Sequence, residues 1–313
     1  MFKFKKPGID SFAAKSILVK KGTAIGWKIA RIIILICFSY ALIYPFIYMI
    51  SSTFRGEEDL WNPTVVWITR HFSMENLESA WFHMKYDETL PFSLAISIGS
   101  AILQSFMCAL AGYAFARFNF KFKGILFAIA LLTIIAPQQM YIIPLFRIIK
   151  FMGFMDSPAA FWIQAVFGAG IRSGLFIFIY RQTFRGLPTD LEDAAAIDGC
   201  GAFGTYFKVM LPNAINSFIV VFMFSIVWHW NEYFSAELFT QHKRNAAQAL
   251  NALRVQLEAT LASSSAAVAV ENPLQVQVWV QAGSLLMVFP MLFVFLIGQK
   301  YLREGIARTG IVG

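Results

Sequence analysis

Apolar residues run through this chain in long blocks separated by short polar stretches. A helix crosses the hydrocarbon core of a bilayer with about 20 apolar residues. Six blocks reach that length: Trp27–Phe54, Leu90–Phe115, Ile125–Ile149, Pro158–Phe184, Pro212–Phe239 and Val276–Tyr301. The pattern predicts an all-α polytopic membrane protein with six transmembrane helices. The first block is too long for the core of a secretion signal, and no small-x-small cleavage site follows it, so it is expected to stay as an anchor.

Composition agrees. Hydrophobic residues make up 58% of the 313 positions and charged residues 14%, against roughly 45–50% and about 25% in soluble domains. Mean hydropathy is +0.61. These values exclude a soluble globular enzyme and a disordered chain. The net charge of +8 would suit nucleic acid only if it formed a patch. It is scattered beside the apolar blocks instead, and no nucleic-acid partner is expected. Cys37, Cys108 and Cys200 have neither zinc nor redox spacing.

Lysine and arginine set the expected orientation. Most of the 26 flank the same ends of the blocks: Lys3, Lys5, Lys6, Lys15, Lys20, Lys21, Lys28 and Arg31; Arg117, Lys121 and Lys123; Arg181, Arg185 and Lys208; Lys300, Arg303 and Arg308. That side is read as cytoplasmic and, with six crossings, both termini are expected there. The opposite side carries the acidic stretch from Arg55 to Glu88, with Trp61, Trp67 and Trp81 suited to an interfacial belt. A second outer loop, about 240–275, holds the small, polar run Ala262–Ala267. The organisation read from this is a basic tail over 1–26, a membrane domain over 27–302 and a tail over 303–313.

One polar stretch lies on the inner side, an elbow over 188–211. Thr189 with Glu192 three residues later has the form of a capping box. Asp190, Glu192 and Asp193 fill a first turn, where the helix dipole favours negative charge. Three alanines follow, and Gly199 is placed to end the helix in the left-handed conformation. A second short helix from Ala202 to Met210 leads to Pro212. Anionic lipid would repel an acidic helix start. A helix of small residues fits better in a groove on a basic protein partner.

The run Asp193-Ala194-Ala195-Ala196-Ile197-Asp198-Gly199, with Leu211-Pro212 at the matching distance, resembles the EAA motif of ABC importer permeases. Asp193 stands where that pattern has glutamate. Ala111-Gly112-Tyr113-Ala114-Phe115-Ala116-Arg117, Pro137-Gln138-Gln139 with Ile143-Pro144-Leu145, Phe178-Ile179-Tyr180-Arg181-Gln182, Trp230-Asn231-Glu232-Tyr233-Phe234 and Gln299-Lys300-Tyr301 resemble the carbohydrate branch, the maltose-type permeases. The closest shape is the six-crossing, G-type subunit, and the likeness covers about Pro91 to Tyr301.

The resemblance implies a type I ABC importer permease fold. It implies a sugar or oligosaccharide substrate, a second membrane permease subunit and an extracytoplasmic solute-binding protein. It also implies two cytoplasmic ATPase subunits, which hold ATP and Mg. The elbow becomes the coupling helix, with Glu192, Asp193, Ala194, Ala195, Ile197, Asp198 and Gly199 in that role. This chain is expected to hold no cofactor, metal or ATPase site of its own. A phosphate loop needs Gly-x-x-x-x-Gly-Lys-Ser/Thr, and Gly22 to Lys28 has the wrong spacing. His71, His83, His229 and His242 show no ligand spacing.

Three further residues are candidates for the translocation path. Arg172 falls near the middle of the fourth block, where an arginine costs about 2.5–3.5 kcal/mol on insertion scales. It is read either as facing a cavity and binding a hydroxyl-rich or anionic sugar such as a uronate, or as marking an internal ion pair or a shifted helix boundary. Asn231 and Glu232, near the outer end of the fifth block, are read as gate or path residues or as a solvated helix end. An ABC importer of another solute is one alternative. The other is an ion-coupled secondary transporter, which would call for paired intramembrane acids and inverted repeats; the sequence has neither pattern.

Overall fold

A computed structural model describes residues 9–60, 62, 64, 65, 67–253, 255 and 273–309. The chain divides into two units, Met1–Ser73 and Met74–Gly313.

The first unit is built on helix α1, Ile9–Thr53, which carries Pro45 in its interior. Its stretch Ile25–Thr53 is long and apolar enough to cross a membrane. Ile32 to Ile36 are each more than half exposed, as lipid-facing residues would be. The short helix α2, Glu57–Leu60, opens a loop tied down by Asp59. One carboxylate oxygen of this buried residue accepts the backbone N–H groups of Arg70 and His71, at 2.7 and 2.8 Å. These bonds, the His71 backbone first, hold the Asp59 carboxyl below the usual carboxylate range. Tyr44 meets Trp67 edge-on at 4.8 Å. Trp61 and residues 1–8 lie outside the described residues.

The second unit is organised around α4, Tyr86–Arg117, preceded by α3, Glu75–His83. Pro91 lies inside α4 and leaves the Asp87 carbonyl without its i→i−4 helical partner. At about 1.5 Å per residue this 32-residue helix spans roughly 48 Å. Around it pack α7, Ala159–Val166, α8, Ser173–Gly186, and α12, Ile215–Trp230. Lipid tails are as apolar as leucine, so close packing rather than transfer from water must hold such helices together. Small residues on α4 provide it. A Cβ on Gly99 would stand 2.3 Å from the Trp162 ring, and one on Gly112 would stand 2.5 Å from the Tyr180 Cβ.

The expected third and fourth crossings are broken. The third divides into α5, Lys123–Ile135, a 3₁₀ turn, Gln138–Met140, and α6, Ile142–Phe151. Pro137 is the cause: it forces Ala136 into extended geometry (ψ 120°). The fourth divides into α7 and α8. Gly168, at φ +63°, closes α7; Ala169 N–H then reaches back to the Gln164 carbonyl and Gly168 N–H to that of Ala165. A hydropathy window passes over such breaks because it averages the few polar residues in them, Gln138, Gln139 and Arg172, with long apolar flanks.

Backbone freed at a break needs partners in apolar surroundings. Gln104 of α4 supplies them. Its fully buried amide donates to the Ile171 carbonyl and to Ser173 Oγ, both at 2.7 Å. Its oxygen accepts from Ser225 Oγ at 2.5 Å and lies 3.2 Å from His229 Nε2.

The remaining described elements are α9, Asp190–Ile197, α10, Ala202–Thr205, a π turn, Tyr206–Met210, α11, Leu211–Asn213, α13, Phe234–Phe239, α14 over 246–253, and α15, Pro273–Thr309. Among the described residues, α4 and Gln277–Leu302 of α15 join Ile25–Thr53 as single helices able to cross a membrane. Ala202–Asn213 with Ile215–Trp230, bent by 80°, makes a fourth span at most. Helix runs into both expected tails, starting at Ile9 and ending at Thr309. Ala262–Ala267 lies outside the described residues.

Candidate functional site: the coupling elbow

The elbow grows out of local signals. Helix α9 starts after Pro188 with Asp190, Glu192 and Asp193 in its first turn. It ends in a double reach-back closure: Cys200 N–H donates to the Ala195 carbonyl at 2.9 Å and Gly199 N–H to the Ala196 carbonyl at 3.0 Å. That closure needs a positive φ at Gly199, which stands at +80°. The chain returns through α10 and the π turn, where Leu211 N–H bonds the Tyr206 carbonyl. Pro212 has no N–H to continue an α-helical ladder. Two residues on, the chain turns into α12.

The capping box does not form. Thr189 makes no side-chain cap bond and has helical dihedrals. The Glu192 carboxylate is engaged elsewhere: Oε1 accepts the Tyr113 hydroxyl at 2.7 Å, and Oε2 lies 3.1 Å from Arg117 Nε. Both partners are on the last turns of α4. Charge-assisted bonds of this kind outcompete a neutral cap. Arg117 also donates to the Leu187 carbonyl at 2.5 Å, fixing the chain just before α9. Neither side chain is far out in solvent, at 13% and 22% exposure.

The seven residues expected to act together therefore divide. Glu192 and buried Ala195 face the body of the protein. Asp193, Ala194, Ile197, Asp198 and Gly199 face outward. Ile197 is 87% exposed, and Phe203 and Phe207 on the returning limb are 70% and 53% exposed. The elbow thus presents three large apolar side chains beside an acidic helix start. Behind them, Tyr206 and Met210 are fully buried with Tyr113, Tyr180 and Phe184. The elbow rides on a packed aromatic base rather than on a loose loop.

The three path candidates have other settings. Arg172 is not mid-helix. It stands in the left-handed conformation (φ +60°) as the residue before α8. Its guanidinium donates to the Ile134 carbonyl at 3.4 Å and sits 5.8 Å from the Trp228 ring. This is the shifted-boundary reading; the glycines at 168 and 170 had weakened the helix there. Asn231 closes α12 through its amide to the Val227 carbonyl at 2.8 Å. Glu232 is buried rather than solvated, and its carboxylate accepts the Ser235 N–H at the start of α13, at 2.7 Å. Among the described residues no bond joins these three to one another. Sequence reasoning passed over Tyr113 and Arg117 as the elbow's anchors, although both stand in the run Ala111–Arg117. It also passed over Gln104, a lone amide inside an apolar block.

Comparison with known proteins agrees with this architecture. The family model described as "Binding-protein-dependent transport system inner membrane component" matches residues 101–308. The protein named "Probable ABC transporter permease protein PH1036" in Pyrococcus horikoshii is 32% identical over 225 residues, 69% of this chain and 79% of its own length. The arabinooligosaccharides transport system permease protein AraQ of Bacillus subtilis is 24% identical over 302 residues, 92% of this chain and 96% of that protein. A chain from the crystal structure of a bacterial ABC transporter involved in import of the acidic polysaccharide alginate superimposes with TM-score 0.71 at 20% identity, covering 89% of this chain and 97% of that one. The fold is thus that of a type I ABC importer permease, and the chain belongs to the family of binding-protein-dependent transport system inner membrane components.

Proposed function

We propose that this chain is one membrane half of an ATP-driven importer of a sugar or oligosaccharide. It works beside a second permease subunit, two cytoplasmic ATPase subunits that bind and hydrolyse ATP with Mg, and an extracytoplasmic solute-binding protein. Both termini and the elbow lie in the cytoplasm, and the membrane is the bacterial inner membrane. The sugar class is supported by relatives such as the arabinooligosaccharide permease and the starch-product and lactose permeases of other bacteria.

The observation that carries the coupling role is the division of α9 into two faces. Ile197, Phe203 and Phe207 offer an apolar surface for a groove on the ATPase, with Asp193 and Asp198 as its charged border and Ala194 and Gly199 permitting close approach. Glu192 grips Tyr113 and Arg117 on the inward side. When ATP closes the ATPase dimer and shifts the elbow, that grip passes the displacement to α4, around which the other helices pack. Arg172, Asn231 and Glu232 act at helix ends, positioning α8, α12 and α13 along the path.

The test is ATPase activity of the purified complex in lipid, with and without the cognate binding protein, scanned over an oligosaccharide library. Stimulation by one loaded binding protein is the expected result. A complex that copurifies without ATPase activity and responds to no sugar would overturn the reading.

A further inference from the structure

At the end of α4 opposite the elbow, a cavity of about 690 Å³ opens between the α3–α4 junction and the loop after α13. Its volume falls within the roughly 300–1,000 Å³ of small-ligand sites. Lys85, Lys243 and Arg244 line it, with His83 and His242, and Glu88 is the one acid among the lining residues. Among the described residues, none of the three cationic side chains makes an ion pair.

Two features show that the wall is built. Lys85 is held at φ +47°, a conformation that non-glycine residues adopt only at a cost. Its backbone N–H bonds the Phe82 carbonyl, and its own carbonyl accepts from both Glu88 and Thr89. The loop carrying Lys243 and Arg244 is pinned from below. Asp156 accepts the backbone N–H of His242 at 2.7 Å and pairs with its ring at 2.8 Å. Buried Gln248 and Asn245 bond each other and the Thr240 and Glu232 backbone. The cations therefore stand on a preorganised rim, which lowers the cost of ordering them around a ligand.

We infer that this cavity is an entry subsite for the carboxylate of an anionic sugar, a uronic-acid oligosaccharide. This rests on the importer reading and names the substrate class. Lys85, Lys243 and Arg244 pair with the carboxylate by charge-assisted bonds. Glu88 accepts hydroxyl protons of the same sugar, a role that a purely cationic pocket could not fill. Phe92, also in the lining, gives an aromatic wall for the C–H face of a pyranose ring. A concave, rigid site with one acid among its cations suits a small ligand carrying both carboxylate and hydroxyls better than the flat acidic surface of a docking protein.

The test uses the complete importer in liposomes with its binding protein. The probes are trigalacturonate and its fully methyl-esterified, uncharged counterpart. Lys85→Gln, Lys243→Gln and Arg244→Gln are combined in one variant. The expected result is that uptake of trigalacturonate falls at least about tenfold, as loss of charge-assisted contacts predicts. Uptake of the ester and stimulation of ATPase by the binding protein stay unchanged. Added salt slows trigalacturonate uptake in the parent and not in the variant. The charge-conserving set Lys85→Arg, Lys243→Arg and Arg244→Lys retains uptake, which separates charge from folding. An equal fall for both sugars, a parallel loss of ATPase stimulation pointing to a binding-protein contact, or a parent that carries only the ester would each overturn the inference while leaving the importer reading intact. If no sugar of any kind stimulates the ATPase, the importer reading falls and takes this inference with it.

Discussion

The two ends of α4 are held in opposite ways. At Arg117 a few charged, long-range contacts tie the elbow to the helix, and the elbow's apolar tip is left uncovered. At Tyr86 the neighbouring loop is locked by neutral, buried hydrogen bonds among Thr240, Asn245, Gln248 and Ser93, and Tyr86 itself donates to the Leu286 carbonyl at 2.8 Å. A satisfied neutral network in apolar surroundings rigidifies. A part-buried ion pair on an acidic helix with an uncovered tip can shift as a unit with little loss. The difference suits one end to moving with a partner and the other to keeping its shape.

The comparison can be broken first at the rigid end. Gln248→Leu strips the partners from the Thr240 carbonyl and the Asn245 N–H, both buried; the Thr240 hydroxyl keeps its bond to the Ala236 carbonyl. Two buried groups left unpaired cost about 3 kcal/mol together, and a clear fall in the melting temperature of the complex in lipid nanodiscs is expected. Glu192→Ala comes next. It leaves Arg117 and Tyr113 without their shared acceptor, at about 1–2 kcal/mol for a part-buried charged contact. Its sharper signature is functional: ATPase assembly persists while transport falls, read as uptake per ATP hydrolysed. Gly199→Ala forces an alanine to φ +80° and costs about 1 kcal/mol, seen as a smaller thermal shift with weakened ATPase copurification. Ile197→Ser removes an exposed side chain, so stability stays within about 0.5 kcal/mol while ATPase retention on a column falls.

The smallest effect is on pH. Burial pushes the Asp156 carboxyl up, but the His242 backbone and ring and the Lys243 N–H outweigh it, and the carboxyl sits below its usual range. A lowered folded value means that its contribution is fully present above the ordinary value of about 3.9 and is lost only as pH falls through the folded one. Amide hydrogen exchange at residues 242 and 243, corrected for the intrinsic rate, should show unchanged protection between pH 8 and pH 5. Asp156→Asn should reduce that protection at every pH.

Much of the elbow was legible because its signals are local. Acids in the first turn, the alanine run and the glycine at 199 act within a few residues of themselves, and the helix they describe is the helix found. The apolar blocks were legible for the same reason, since hydropathy is additive along a window. The capping box failed because its rival was not local. Tyr113 and Arg117 lie 79 and 75 residues from Glu192 in sequence, and only the packing of α8 against α4 brings them within reach.

The sequence by itself determined that this is a membrane-embedded helical chain with one polar elbow, because burial in lipid and helix termination are decided by composition and neighbouring residues. The tertiary structure alone decided two things: which way Glu192 points, and that Lys85, Lys243 and Arg244 share one cavity. Each depends on groups far apart in the chain arriving at the same place, with buried polar atoms choosing the partners that satisfy them there.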